Sequence, residues 1–220
     1  VLENNGVYGL TKGQYSATAV KGSKKKKGPV NKQQPIDLCK LAINLGCTFV
    51  ARSFSGSRKQ LTALIRAAMS HKGFAFIDVI SPCVTFNNNE ESLQSYTYVK
   101  DNDVELHAYD YIPHRLPIEE VDIPEGQFND ITLFDGSVLR LETLGSDHDP
   151  NDAMAALTAL HTAEMENKHV TGLLYFDPTQ ATAVEEQNLV LTPLSEVDDE
   201  IMRPSAATLE TLNARFRGKA

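Results

Sequence analysis

The chain has 220 residues, of which 41% are hydrophobic, and its formal net charge is −8. A chain of this length and composition buries a normal core, either as one domain with an extension or as two small domains. No apolar run approaches the roughly 20 residues of a membrane span, and the negative charge argues against general nucleic-acid binding, so neither a membrane nor a nucleic acid is an expected partner.

The N-terminal segment combines a strand end with a glycine-rich polar loop. Val1 and Leu2 are apolar and predict the end of a strand, and residues 4–14 follow with the sequence N-N-G-V-Y-G-L-T-K-G-Q. Amide and backbone oxygen atoms at such a position bind a hard metal ion, and glycines let a phosphate group approach the main chain. A polar turn from strand to loop explains the spacing equally well, so the pattern alone leaves both interpretations open.

Residues 35–80 predict two helices that alternate with two strands. Apolar residues recur at helical spacing between Pro35 and Gly46, and the run 47–51 predicts a buried strand. A second helix begins near Ser57 and ends before Gly73, and the apolar run 74–80 predicts a second strand. The short connections favour parallel strands with a right-handed crossover.

The predicted sheet brings two polar motifs to one place. Ligands of open α/β sheets bind at the carboxyl ends of the parallel strands. Asn5 and Cys83 each follow the C-terminal end of a predicted strand. We therefore expect both motifs at the same edge of one sheet.

The remainder of the chain has a different pattern, beginning with a polar break at residues 87–91. The sequence predicts a strand at 95–99, an extended connector at 110–127, a hairpin of strands 131–134 and 137–141, a helix at 151–166, a strand at 171–176 and a final helix at 206–216. The hairpin prediction depends on the Asp135-Gly136 pair, which favours a tight turn.

The three cysteines are Cys39, Cys47 and Cys83, and none belongs to a C-x-x-C pair. An odd number of cysteines does not suit a secreted disulfide framework, so we expect a reducing cytoplasm. Cys39 and Cys47 lie within apolar patterns and are expected in the core. The acidic cluster at residues 147–149 suggests a metal site, but capping of a helix N-terminus is the favoured interpretation.

Two of these segments resemble a known family. Residues 4–14 are similar to the second half of the thiamine-diphosphate/magnesium motif in the β subunits of 2-oxoacid:ferredoxin oxidoreductases, and the 2-oxoglutarate members match best. Residues 80–87, I-S-P-C-V-T-F-N, are similar to the segment that carries one cysteine ligand of a [4Fe-4S] cluster in that family. The sequences G-L-L-Y at 172–175 and L-N-A-R-F-R at 212–217 resemble, more weakly, the C-terminal extension of longer β subunits.

The resemblance implies an α/β fold class and two domains. Residues 1–92 would form the C-terminal half of a thiamine-diphosphate-binding parallel-sheet domain, and residues 93–220 would form an α+β C-terminal extension. The chain begins without Met, and it lacks the G-D-G segment and the other three cluster cysteines that the family carries upstream. We therefore expect a C-terminal fragment that is catalytically inactive alone.

The resemblance also assigns residues to cofactors. Asn5 would bind magnesium through its side chain and Val7 through its backbone carbonyl, while Tyr8 and Gly9 would lie against thiamine diphosphate. Asn4 is expected to stabilise the turn instead.

Three further residues would carry the chemistry. By resemblance, Leu10 and Lys12 face the substrate, where Leu10 would shape the pocket and Lys12 would pair with the distal carboxylate of a dicarboxylic oxoacid. A loop lysine that faces solvent is the alternative for Lys12. Cys83 would ligate the iron–sulfur cluster, because a thiolate binds iron and Pro82 fixes the local turn. Without the resemblance, a lone cysteine is more often a buried apolar residue.

The implied activity is the oxidative decarboxylation of 2-oxoglutarate to an acyl-coenzyme A. Electrons would pass through the [4Fe-4S] cluster to ferredoxin, and a separate α subunit would complete the site. The lysine run at 24–27 is then either a solvated loop, which is favoured, or a ferredoxin docking patch. Two alternatives stay open: the same reaction on pyruvate or branched-chain 2-oxoacids, and a non-catalytic scaffold subunit with this fold.

Overall fold

The computed structural model describes residues 1–23, 29–86, 95–112, 128–132, 138–143, 148–166, 168–190 and 192–217. The lysine run 24–27, the polar break at 87–91, most of the predicted connector 110–127 and the Asp135-Gly136 turn lie outside these ranges. The described residues form two compact units, Val1–Gln180 and Ala181–Ala220.

Unit 1 contains a five-stranded sheet. Its strands are β1 (Leu2–Asn4), β4 (Phe49–Phe54), β5 (Ala75–Ile80), β6 (Asp103–Glu105) and β10 (His169–Phe176), in the order β1-β5-β4-β10-β6. Three of the four strand pairs are parallel, and β10 is antiparallel to β4. The mainly parallel sheet confirms the predicted α/β fold class.

Helices cover both faces of this sheet because its strands alternate apolar side chains between the faces. Phe49, Ile77 and Leu173 pack against α2 (Arg58–Met69) on one face. Val50 and Leu174 pack against α1 (Leu38–Asn44) and α4 (Ala153–Met165) on the other. Because β1 and β5 are parallel neighbours within this sheet, their C-terminal ends lie at the same edge.

The predicted helices begin at capped residues close to the expected positions. Asp37 caps α1, so the helix starts three residues after Pro35, and its Oδ1 accepts from the Lys40 N–H. Ser57 is the N-cap of α2, although its side chain makes no capping bond. Asp152 caps α4 by accepting from two backbone N–H groups. The favoured capping interpretation is therefore confirmed for Asp152, which lies just after the cluster, whereas Asp147 lies outside the described residues.

The predicted strand at 95–99 is wrong. The segment forms α3 (Tyr96–Asn102), because the Ser95 hydroxyl accepts from the Tyr98 N–H and caps the helix. Val99 is fully buried against Phe54 and Ile80. Capping and packing outweigh the strand preference of the Tyr and Val residues.

A separate three-stranded antiparallel sheet has the order β7-β9-β8. Its strands are β7 (His107–Ile112), β8 (Phe128–Thr132) and β9 (Val138–Thr143). The antiparallel pairing of β8 with β9 confirms the predicted hairpin strands. Tyr111 attaches the sheet to α2 through a 2.7 Å hydrogen bond between its hydroxyl and that of Ser70.

Unit 2 has short helices and no buried residue among those that the structure describes. Its elements are α5 (Ala183–Glu186), a 3₁₀ helix (Leu194–Glu196), α6 (Asp199–Met202) and α7 (Ala206–Arg217). Helix α7 confirms the prediction for residues 206–216. No helix within the described ranges combines the length and the apolar character that a membrane crossing requires.

The predicted domain boundary between residues 92 and 93 remains a prediction. The compact units divide at a different position, after Gln180. This position differs because β10, which follows residue 93, hydrogen-bonds with β4 inside the main sheet.

Candidate functional site

The candidate site begins where β1 ends and the chain turns into a small hairpin. Strands β2 (Val7–Tyr8) and β3 (Gln14–Tyr15) pair antiparallel. Gly6, which immediately precedes β2, has a positive φ of 68°. The Val7 N–H donates to Asn5 Oδ1 over 3.0 Å, which forms a side-chain turn. Asn5 is therefore held close to the backbone of Val7.

The Asn5 side chain and the Val7 carbonyl lie on the same side of the hairpin. Gly6 O accepts from Ser16 N and Tyr8 O accepts from Gly13 N, so both of these carbonyls face β3. Backbone groups alternate along a strand, so the N–H and C=O of Val7 point away from β3, to the side on which Asn5 Oδ1 accepts from the Val7 N–H. The structure thus brings the two predicted magnesium ligands together.

These two oxygen atoms fit part of a magnesium site. Magnesium demands octahedral geometry and usually keeps several waters, with ligands also supplied by phosphate. The described residues contain no group of three or more His, Cys, Asp or Glu side chains that could hold a metal ion. Asn5 and Val7 therefore suit a metal that a bound diphosphate helps to hold.

Asn4 has a structural partner, as the sequence predicts. The Thr18 hydroxyl donates to Asn4 Oδ1 over 2.7 Å, and Ser16 Oγ lies 2.8 Å from Thr18 Oγ1. These contacts attach the segment after β3 to the end of β1. Thr18 was not a predicted residue, and the sequence gives no signal for it beyond its polarity.

The tip of the hairpin carries the predicted substrate residues. Lys12 N–H donates to Gly9 O over 3.1 Å, and Lys12 adopts the left-handed conformation with φ 72°. Leu10 is 99% exposed, and Tyr8, Gly9 and Lys12 are also exposed. Leu10 and Lys12 thus lie two residues apart in the same loop, and no other segment that the structure describes covers their side chains.

The Cys83 motif follows β5 at the same sheet edge as Asn5. Asn4 pairs with Ile80 in the parallel ladder, and the next residue, Ser81, donates its N–H to Asn4 O over 2.9 Å. Cys83 is half-buried and has a free thiol, in a turn closed by Phe86 N–H and Cys83 O at 3.2 Å. The expected juxtaposition of the two motifs is confirmed.

Cys39 and Cys47 lie in the core, as predicted. Both are buried among residues of α1, α4 and the sheet. Burial raises the pKa of each thiol, most strongly for Cys39. Both cysteines are consequently unreactive, and Cys83 is the least buried of the three.

A charged network lies beneath the hairpin, on the sheet face that α1 covers. Arg52 Nε donates to Asp78 Oδ2 over 3.0 Å, and Arg52 Nη2 donates to Asp37 Oδ1 over 2.8 Å. Burial raises the pKa of Asp37, but the Arg52 guanidinium and the Lys40 N–H lower it to a net value below the usual one. Arg52 thus bridges two carboxyl groups, and its guanidinium and the Asp78 side chain are almost fully buried.

This network was missed at the sequence level, although a signal exists. Arg52 and Asp78 interrupt two adjacent apolar strands and pair directly in the parallel register. A charge in the middle of each of two neighbouring buried strands predicts an ion pair, since an isolated buried charge is costly.

A cavity of about 370 Å³ opens beside the network. Its lining includes Asn4 and Thr18 from the hairpin region, Arg52 and Asp78 from the sheet, and Leu160 and Met165 from α4. Asp78 Oδ1 is buried and has no hydrogen-bond partner among the described residues. The cavity shares Asn4 with the end of β1, but none of the predicted cofactor or substrate residues lines it.

The chain is similar to known proteins in sequence and in structure. Residues 1–79 match the family model described as thiamine pyrophosphate enzyme, C-terminal TPP binding domain. A 2-oxoacid:ferredoxin oxidoreductase β subunit from Sulfolobus is 48% identical over 89 residues, which are 40% of this chain and 29% of that protein. The chain resembles the β subunits of 2-oxoacid:ferredoxin oxidoreductases.

Further relatives of the β subunits extend this similarity. The 2-oxoglutarate synthase subunit KorB of Methanocaldococcus jannaschii is 38% identical over 108 residues, 47% of this chain and 40% of that protein. That of Archaeoglobus fulgidus is 31% identical over 140 residues, 63% of this chain and 48% of that protein. The chain spans less than half the length of these three relatives.

A solved structure shares the fold. The 2-oxoglutarate:ferredoxin oxidoreductase from Magnetococcus marinus, with 2-oxoglutarate, coenzyme A and succinyl-CoA bound, matches with a TM-score of 0.55 at 24% identity. The match covers 92% of this chain and 57% of that chain. This match supports the fold, and the sequence relatives confirm the resemblance predicted from the two sequence motifs.

Proposed function

We propose that this chain acts within the β subunit of a 2-oxoglutarate:ferredoxin oxidoreductase. One observation carries the proposal: the Asn5 hairpin and the Cys83 turn leave adjacent parallel strands at one sheet edge, joined by the 2.9 Å bond between Ser81 N and Asn4 O. A cofactor loop and a cluster ligand must lie close together for electrons to pass between them. The similarity to KorB subunits supports 2-oxoglutarate as the substrate.

In this proposal Asn5 Oδ1 and Val7 O hold magnesium, and Tyr8 and Gly9 contact the cofactor. Thiamine diphosphate, when bound, supplies the electron sink for decarboxylation. The residues of this chain position the cofactor. The backbone around Gly9 is open to a ligand, since no heavy atom lies within 4 Å of a Cβ built on Gly9.

Lys12 and Leu10 act on the substrate in this proposal. Lys12 pairs with the distal carboxylate of 2-oxoglutarate, and Leu10 forms an apolar wall of the pocket. Both side chains are exposed within this chain, so a second surface must close the pocket over them. An α subunit is the proposed source of that surface, and this chain alone is proposed to be inactive.

Cys83 is the proposed cluster ligand, and ferredoxin and coenzyme A are the proposed electron and acyl acceptors. A [4Fe-4S] cluster takes four thiolates. Cys39 and Cys47 are buried in the core, so Cys83 fits one position of such a set and the other three thiolates must lie elsewhere. A cytoplasmic location is also proposed, because all three cysteines are free thiols.

The test is anaerobic, coenzyme-A-dependent reduction of ferredoxin by the full-length subunit assembled with its α partner. We expect 2-oxoglutarate to be preferred over pyruvate. Lys12→Ala should raise KM for 2-oxoglutarate roughly 10- to 100-fold, the loss expected for a charge-assisted hydrogen bond, and should affect pyruvate much less. Lys32→Ala, which removes an exposed loop lysine, is the matched control.

The other outcomes separate the alternatives. A preference for pyruvate or a branched-chain oxoacid would retain the reaction class and overturn the substrate assignment. If cofactor-loaded and cluster-loaded protein reduced no ferredoxin with any oxoacid, the scaffold alternative would replace the enzyme.

A further inference from the structure

One aromatic side chain connects the two halves of the candidate site. Gly13, at the end of the hairpin loop, is buried and has φ +89°. A Cβ built on Gly13 would lie 2.8 Å from Phe86 Cδ1 and 3.1 Å from Phe86 Cγ. The Phe86 ring therefore lies directly on the open face of Gly13, where any side chain would displace it.

Gly13 determines how the loop presents Lys12. Its N–H donates to Tyr8 O over 2.9 Å and closes the loop formed by residues 9–12. Lys12 and Gly13 are consecutive left-handed residues, and this conformation is unfavourable for a lysine because of its Cβ. Two hydrogen bonds within the loop, from Lys12 N–H to Gly9 O and from Gly13 N–H to Tyr8 O, hold this conformation, and the Phe86 ring packs against it from outside the loop.

Phe86 also closes the turn that contains Cys83. Phe86 N–H donates to Cys83 O over 3.2 Å, and the turn leads directly from β5. Phe86 is half-buried, whereas its neighbours Val84 and Thr85 are exposed. The backbone of Phe86 thus fixes the cysteine turn while its side chain fixes the lysine loop.

We infer that Phe86 is a positioning residue that couples the Lys12 loop to the Cys83 turn. The roles of Lys12 and Cys83 rest on the proposed function, but the coupling itself rests on the contacts above. An ordered Cys83 turn would hold Lys12 in its left-handed conformation. Substrate selectivity would then depend on a side chain that touches neither substrate nor cluster.

The coupling can be tested on the chain without any cofactor. Trypsin cleaves after lysine, and Lys12 and Lys32 lie in exposed loops. Phe86→Ala should raise the cleavage rate after Lys12 relative to Lys32 by about fivefold or more, since cleavage follows local opening. Phe86→Leu should keep the ratio within about twofold of wild type by retaining apolar bulk, as should Val84→Ala at an exposed position of the same turn.

The two remaining outcomes overturn the inference. An unchanged ratio in Phe86→Ala would show that the ring does not restrain the loop. Equal acceleration at Lys12 and Lys32 would show that Phe86 supports the fold in general.

A second measurement links the contact to selectivity in the full-length subunit assembled with its partner. Phe86→Ala should raise KM for 2-oxoglutarate about tenfold more than KM for pyruvate, and Phe86→Leu should restore the ratio. The electron paramagnetic resonance signal of the reduced cluster should persist. Equal KM changes for both substrates would contradict the coupling.

Failure of the proposed function remains distinguishable from failure of this inference. If wild-type protein reduced no ferredoxin, the proposed function would be lost. The proteolysis ratio would still decide whether Phe86 restrains the Lys12 loop.

Discussion

The sheet and the hairpin tip place chemically similar side chains in opposite environments. Arg52 is almost fully buried and paired with two carboxylates, whereas Lys12 projects from the tip into solvent. Leu64, which packs from α2 onto the sheet, is completely buried, whereas Leu10 is 99% exposed. Within unit 1, the buried cation and leucine are held by the core, whereas those of the tip contact little of the chain that the structure describes.

The largest expected effect on stability concerns the two cations of this comparison, Arg52 and Lys12. Arg52→Ala leaves Asp78 buried without its partner, so we expect a loss of about 3–5 kcal/mol in the free energy of unfolding, measured by urea denaturation. Lys12→Ala removes the same charge from the tip and should change that free energy by no more than about 0.5 kcal/mol. Similar losses in the two variants would contradict the contrast.

The next effect tests the apolar residues. Leu64→Ala creates a cavity between α2 and the sheet and should cost about 2–5 kcal/mol. Leu10→Ala should leave the free energy of unfolding within about 0.5 kcal/mol of wild type, because the Leu10 side chain is already exposed to water. A large stability loss for Leu10→Ala would mean that the tip packs against the chain in solution.

The smallest expected effect on stability concerns Asp103, whose side chain is half-buried. Burial raises the pKa of Asp103 to about 6, Thr171 lowers it by hydrogen bonding and Glu105 raises it by repulsion. Its Oδ1 is buried without a hydrogen-bond partner among the described residues. Because the folded pKa exceeds the ordinary 3.8, the folded state binds more protons between these values and loses stability as pH rises through them.

Asp103→Asn should remove this penalty. We expect the variant to exceed wild type by about 1 kcal/mol in unfolding free energy at pH 7, after allowance for solvent screening, and the difference should disappear near pH 4. Urea denaturation at pH 4, 5, 6 and 7 measures it, with Asp101→Asn on the exposed face of α3 as the charge control. A difference that stays constant with pH would refute the raised pKa.

Several strands and helices of the main sheet could be predicted from the sequence, because the residue patterns that indicate them are local. Apolar spacing and punctuation predicted α1, α2, β4 and β5 within a few residues, and the C-terminal ends of two strands predicted where the motifs meet. Cys39 and Cys47 were assigned to the core from the same patterns.

The missed features depend on contacts between residues distant in sequence. The antiparallel insertion of β10 beside β4 joins segments more than 100 residues apart, which no local pattern encodes. The strand prediction at 95–99 failed because Val99 packs on Phe54 and Ile80 as part of a helix. The contact of Phe86 with Gly13 is invisible in sequence, since nothing in a loop glycine specifies which ring covers it.

The central claim is that the Asn5 hairpin and the Cys83 turn form one reactive site. The most direct test is a crystal structure of the full-length subunit assembled with its partner, thiamine diphosphate and magnesium, with anomalous data at the iron edge. We predict iron bound to Cys83 Sγ and a diphosphate-bound metal ion at Asn5 Oδ1 and Val7 O. Iron at another site with a free Cys83 thiol, or a cofactor held away from the Asn5 hairpin, would contradict the account.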